Sequence, residues 1–220
     1  MNYMVDIEIF VLSLKGLGSK ERAKKDQKYH KSARVHWGVP LPVNTKFTMG
    51  VIKGIDRGEW IPFAKALWET NLFDPMMSAG KILGKVKPSR SLWGAILECL
   101  KVVDGWALED LLAHAAWKSI LADETLLDEV EKWTQHENFW MRRAALVYTL
   151  PFAKKGRDPE RMLSWAAGYA EESEWFIQKA IGWWLRVLSE HNPKRVFQFL
   201  EIHNHKLKGV ARREATRKIL

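Results

Sequence analysis

Trp106 and Asp110 stand four residues apart in VDGWALEDLLA (103–113). On a helix that spacing puts an indole and a carboxylate on one face. Together they suit a developing carbocation, which the carboxylate attracts by its charge and the ring by its quadrupole. Glu109, three residues beyond Trp106, is a rival acid. A core Trp beside a locally paired Asp is the plainer alternative for the same spacing. Arg142 and Arg143 follow an aromatic pair in HENFWMRRAALVYTL (136–150). A guanidinium on an otherwise apolar helix either stays solvated or reaches a phosphate through charge-assisted bonds. Trp183 and Trp184 are adjacent in SEWFIQKAIGWWLRVLSEHNP (173–193), so on a helix they point about 100° apart. Both cannot occupy the centre of one buried stripe, and one is expected at the surface or along a groove. Tyr29 sits among cations in KKDQKYHKSAR (24–34), a pattern suited to nucleic-acid contact.

Other chemistries lack their residues. The single cysteine, Cys99, excludes an internal disulfide and Cys-cluster metal sites. It lies in an apolar run and reads as a buried core thiol. His203-Asn204-His205 has neither an HExxH partner nor a third ligand, so no metal is expected. Neither G-x-x-x-x-G-K-[ST] nor G-x-G-x-x-G occurs, so no nucleotide cofactor is expected. No nucleophile elbow supports a serine triad. The first residues, MNYMVDIEIFVLSLKGLG, carry Asp6 and Glu8 and no basic start, unlike a signal peptide. No apolar run is long enough to span a bilayer. The expectation is a cytoplasmic protein, associated with the nucleoid.

Helices must position these residues. Apolar residues recur at helical spacing in AILECLKVV (95–103), LLDEVEKW (126–133), AALVYTL (144–150), RMLSWAAGYA (161–170) and FIQKAIGWWLRVL (176–188). Asp74-Pro75, Asp158-Pro159 and Asn192-Pro193 each set a capping side chain before a proline suited to a first turn. Ser19, Thr45, Asp123 and Ser173 are further candidate caps. GVPLP (38–42) is the clearest break, and Gly156 to Pro159 reads as a helix-to-helix turn. No strand pattern is found. The sum is about twelve helices. The Asp74 and Asp158 caps lie two steps of 42 residues apart, near the period of HEAT-type helix pairs. The expected fold is all-α: a right-handed α-solenoid of HEAT-like antiparallel helix pairs with a concave basic cleft, spanning 1–220 as one domain.

The chain of 220 residues has 47% hydrophobic residues, twelve Trp and a net charge of +9. Residues 15–34 and 194–218 each carry +6, leaving a slightly acidic body. Two basic segments near the ends suit a run of phosphates. Candidate DNA contacts among these cations are Lys28, Lys31, Arg212 and Arg213, with Arg142, Arg143 and Lys179 nearer the middle.

FIQKAIGWWLRVLSEHNP resembles a signature of the AlkD-like DNA alkylation repair glycosylases, FFIQKAIGW-x-LRE-x-x-K-x-NP. WMRRAALVYTL, WALED, KYHKSARVHWGV and ALWETNLFDPMMSAGKIL resemble further segments of that family, in the same order. The resemblance runs from about residue 20 to the end. It implies a HEAT-like fold and hydrolysis of the N-glycosidic bond of N3- or N7-alkylated purines in duplex DNA. It assigns Asp110 as the catalytic carboxylate, Trp106 and Trp183 as the rings against the deoxyribose, Arg143 as the backbone grip and Tyr29 as a neighbour of the lesion. A cationic base leaves readily, so stabilising the sugar cation suffices. Members of the family act without flipping the base into a pocket, unlike the usual glycosylase. The implied partner is alkylated double-stranded DNA, bound by a monomer. The sequence departs at Gly105, where the family often has a second Trp, at Ala107, Leu108 and Glu109, and by one extra residue between Arg143 and Trp183. The family also includes relatives that bind DNA and excise little, so a non-catalytic DNA binder is the first alternative and a HEAT-like protein scaffold the second.

Overall fold

The computed structural model describes residues 6–219. Among the described residues there are thirteen α-helices, two short 3-10 turns and no strand. Among the described residues no helix is long and apolar enough to cross a membrane. The chain forms two compact units, the first ending at Ala122 and the second starting at Asp123.

The first unit holds α1 (Ile7–Lys15), α2 (Lys20–His30), α3 (Leu41–Ile52), α4 (Trp60–Glu69), α5 (Phe73–Leu83), α6 (Arg90–Lys101) and α7 (Trp106–Ala122). Helix α5 is its centre and packs against α1, α3, α4 and α7. Its Met76, Ala79, Ile82 and Leu83 are fully buried. Each large apolar side chain so placed contributes about 1.5–3 kcal/mol of transfer free energy. Cys99, on α6, is buried as expected, and burial pushes its thiol up to about 12. A buried polar seam joins α3 to α5: Thr48 Oγ1 donates to Ser78 Oγ (2.9 Å), and Lys81 Nζ donates to Asn44 Oδ1 (2.8 Å).

Helix α2 is different, because it buries none of its side chains. Ser19 caps it by accepting from Arg22 N, and Lys31 ends it in the left-handed region at φ 54°. The loop that follows folds back through Gly38, at φ 73°. A Cβ there would lie 2.4 Å from Ala23 N, so glycine is needed for both conformation and space. Asp74 holds this loop. Its carboxylate accepts from Trp37 N (2.7 Å) and Val39 N (3.0 Å).

That bond corrects an expectation. Asp74 does not cap α5 but sits inside its first turn, 4% exposed, with Leu72 as the extended residue before the helix. Two loop N–H groups take up the carboxylate that would otherwise cap. Thr45 likewise lies within α3 and donates to Leu41 O, and Glu174 caps α11 in place of Ser173. Ser19 and Asn192 cap as expected, and Asp158 accepts from Glu160 N. Without Asp74 as a marker, the step of 42 residues loses its basis. Polar contacts between elements instead recur at separations of 30 to 37 residues, as in Trp37–Asp74, Lys118–Gly84, Arg161–Asp128, Tyr169–Thr134 and Lys208–Gln178.

The second unit holds α8 (Leu126–Trp133), α9 (Phe139–Val147), α10 (Glu160–Gly168), α11 (Trp175–Ser189), α12 (Pro193–His203) and α13 (Gly209–Thr216). Helix α11 is its centre, against α9, α12 and α13. A Cβ on Gly182 would lie 2.7 Å from Glu214 Cβ and 2.9 Å from Ala211 O, so α13 approaches α11 where a side chain is missing. Gln178 is fully buried. Its amide donates to the carbonyls of Tyr169, Ala170 and Glu172, and its oxygen accepts from Lys208 N. One side chain therefore satisfies the end of α10 and the start of α13.

Candidate functional site

In the first unit the site is built on α7. Its buried side is Ala107, Leu108, Glu109, Leu112, Ala113, Ala115, Ala116, Ser119 and Ile120, against α5 and α6. The opposite side carries Trp106, Asp110, His114, Trp117 and Lys118, half-buried or exposed. Their spacing of three and four residues makes one continuous face. Trp106 and Asp110 thus share a face as expected. Glu109 is fully buried, so of the two adjacent acids only Asp110 has access to solvent.

Trp106 meets the end of α2. Its ring packs edge-to-face on Tyr29 at 5.3 Å between centroids and lies 5.7 Å from His30. His30 stacks on Phe73 (4.5 Å), and His36 stacks on the same ring (3.8 Å). The two imidazoles share a hydrogen bond of 3.2 Å. His36 Nδ1 lies 2.8 Å from Arg34 O, a carbonyl that can only accept, so neutral His36 receives the bond from His30 Nδ1. Burial holds His30 below its ordinary 6.5. Lys28 and Lys31 are exposed on either side of Tyr29, which is 67% exposed.

A polar clamp fixes this corner. Asp104, two residues before α7, accepts from Ser32 Oγ (3.0 Å) and Ala33 N (3.3 Å) and pairs with Arg34. Arg34 also donates to Asn71 Oδ1 (2.9 Å) and Val102 O (2.5 Å). Gly105 lies under the same turn, and a Cβ there would sit 3.4 Å from His30 O. A large residue at this position would displace the turn that carries Tyr29 and His30. Sequence reasoning found Tyr29 and Trp106 but missed His30, His36, Ser32, Arg34 and Asp104. Asp104 lies about 70 positions along the chain from the residues at 30–36, and nothing in either segment points to the other.

The second unit carries the remaining candidates. Arg143 is 3% exposed on α9, its guanidinium carbon 5.9 Å from the centre of the Trp140 ring. Arg142 is engaged locally. It donates to both carboxylate oxygens of Glu172 (2.9 and 3.1 Å) and to the carbonyls of His136 and Glu137. On α11, Trp184 is fully buried and Trp183 half-buried, the division that adjacency on a helix requires. Lys179 donates to Glu214 Oε1 (2.5 Å), while Arg212 and Arg213 are exposed on α13.

All-helical construction, links that recur from one helical step to the next, and a buried Gln on α11 that ties the end of α10 to the start of α13 define a HEAT-like repeat protein. Three solved structures share the fold. The predicted DNA alkylation repair enzyme from Enterococcus faecalis superimposes with a TM-score of 0.81 at 22% identity, covering 92% of this chain and 96% of that one. Smu.31 and AlkD2, both from Streptococcus mutans, each give 0.67 at 16% and 15% identity, covering 97% of this chain and 99% of theirs. No curated protein matches the chain in sequence. The model of the DNA alkylation repair enzyme family matches residues 11–219, and the chain belongs to that family.

Proposed function

We propose that the protein is a DNA glycosylase that hydrolyses the N-glycosidic bond of cationic N3- or N7-alkylated purines in duplex DNA. The observation that carries this reading is the face of α7. There a half-buried carboxylate, Asp110, lies one turn beyond a half-buried indole, Trp106, itself braced by Tyr29. Membership in a DNA alkylation repair family supports DNA as the substrate. When the C1′–N bond breaks, its electron pair goes to the cationic base, which departs neutral. The positive charge moves to the sugar. Asp110 stabilises that charge and orients the water that attacks C1′, while the water's proton passes to solvent. Trp106 supplies a ring face to the sugar, and the family resemblance assigns a second ring, Trp183, to the same role. Arg143, buried beside Trp140, is the candidate grip on a phosphate near the lesion and must uncover its guanidinium to make that contact. Tyr29, Lys28, Lys31, Arg142, Lys179, Arg212 and Arg213 contribute to backbone binding. Both units act as one DNA-binding domain, in a monomer, inside the cell where the DNA is. No metal or cofactor takes part in these steps.

The test is release of free 7-methylguanine from alkylated duplex, run beside a DNA-binding measurement. Release by wild type under conditions of binding supports the reading. Binding without release contradicts it and leaves a non-catalytic DNA-binding relative in its place.

A further inference from the structure

We propose that His114, Lys118 and Lys85 form a phosphate-binding site on the first unit, continuous with the Trp106–Asp110 face and serving the DNA strand that presents the lesion. This rests on the reading of α7 given above and adds a subsite to it. It lies outside the two basic segments at 15–34 and 194–218, although residues 81–90 carry four Lys/Arg and no acid.

Three observations bring these cations together. His114 and Lys118 follow Asp110 at intervals of four residues, so they extend its stripe along α7. Lys118 Nζ donates to Gly84 O (2.6 Å) and Val86 O (2.8 Å), the carbonyls on either side of Lys85, which places Lys85 beside α7. A Cβ on Gly84 would lie 3.5 Å from His114 Cδ2, so the imidazole rests on the same short segment.

The chemistry of the cluster is that of an anion site. No carboxylate pairs with His114, Lys118 or Lys85 among the described residues. His114 and Lys85 are exposed, and Lys118 is half-buried without an acid partner, whereas the half-buried Lys179 and Arg195 each have one. The charges acting on His114 and Lys118 are cationic, and each is held below its ordinary value by burial first and by these neighbours second. An arriving anion relieves that repulsion. The two carbonyl bonds fix Lys118 in place and use two of its three donors, so its charge is preorganised. Trp117 lies 6.3 Å from His114, edge-to-face, and adds an apolar flank.

Reach agrees with the role. Lys118 is eight residues beyond Asp110, about 12 Å along the helix axis. A DNA strand advances about 3.4 Å per nucleotide, so the cations meet phosphates roughly three nucleotides from the sugar at Asp110. A free phosphate would satisfy the cluster locally. A strand satisfies it while its sugar lies at Trp106.

Lys85→Gln and His114→Gln, singly and together, test the site by anisotropy of a short undamaged duplex over a range of salt. Lys118 is left intact because it ends α5. Lys53→Gln, an exposed cation elsewhere in this unit, controls for loss of one charge. The site predicts a three- to tenfold loss of affinity per variant. Lys85→Gln removes a charge and should lower the salt slope by about one. His114→Gln, whose imidazole is held below 6.5, removes a donor rather than a charge at neutral pH and should leave the slope nearly unchanged. Inorganic phosphate should compete only weakly, and as well for the double variant as for wild type. Affinities and slopes equal to those of Lys53→Gln would overturn the site. Strong phosphate competition that disappears in the double variant would overturn it in favour of a free-anion site. Base release by wild type, measured separately, keeps the two readings apart. A lowered slope without release leaves the subsite standing and removes the glycosylase. Unchanged slopes with release do the reverse.

Discussion

At the scale of single residues, chemistry and packing divide within the same short motifs. In IQKAIGW, Ile177, Gln178, Ala180, Ile181 and Gly182 are all buried, and only Lys179 and Trp183 are half-buried. The most specific segment of the sequence is therefore mostly a packing device, with one candidate substrate contact attached. Gly182→Ala should loosen α13 from α11 and lower stability by about 1–3 kcal/mol, read by denaturant midpoint. An unchanged midpoint would mean that the close approach at this residue is unimportant. Asp74 has a similar structural duty. Asp74→Ala leaves the N–H groups of Trp37 and Val39 without their acceptor and should cost roughly 2–4 kcal/mol. His30 offers a pH test. Its proton is disfavoured in the folded state, so its contribution to stability is full above about 6.5 and declines as pH falls through the lowered folded value. Thermal melts should show this decline on acidification, and His30→Gln should flatten it. A variant that melts with the same pH dependence as wild type would contradict the assignment.

At the scale of elements, α7 is positioned by residues remote in sequence. The Asp104 clamp ties the turn after α2 to the residue pair before Trp106. Asp104→Ala should lower stability by about 2–3 kcal/mol, since Arg34 stays largely buried without its partner. It should also slow base release through disorder of Trp106 and Tyr29, with less effect on DNA affinity. Equal rates in variant and wild type would show that the clamp does not position the site. Helix content, the shared face of Trp106 and Asp110, and the unequal burial of Trp183 and Trp184 were legible in the sequence, because each follows from helical periodicity. The role of Asp74 was not. Asp-Pro has the pattern of a cap, and only the returning loop 31–40 shows that its carboxylate is engaged elsewhere. The stacked His30–Phe73–His36 group was equally hidden, because it joins residues on both sides of a loop whose path no local pattern specifies.

At the scale of the whole molecule, charge and catalysis can be tested apart. Helix α2 buries no side chain, so replacing Lys20, Lys24, Lys25 and Lys28 by Glu should leave the fold intact and weaken DNA binding. The salt slope should fall by up to about one for every phosphate these lysines neutralise. An unchanged slope would show that this segment does not meet the backbone. The net charge of +9 thus concerns binding, and the central claim concerns Asp110. The most direct measurement is the single-turnover rate of 7-methylguanine release by wild type and by Asp110→Asn, with both proteins saturating the same alkylated duplex. The account predicts a loss of at least about a hundredfold in rate, the scale of one missing electrostatic stabiliser, with DNA affinity changed by less than about threefold. Release by Asp110→Asn at the wild-type rate would contradict it.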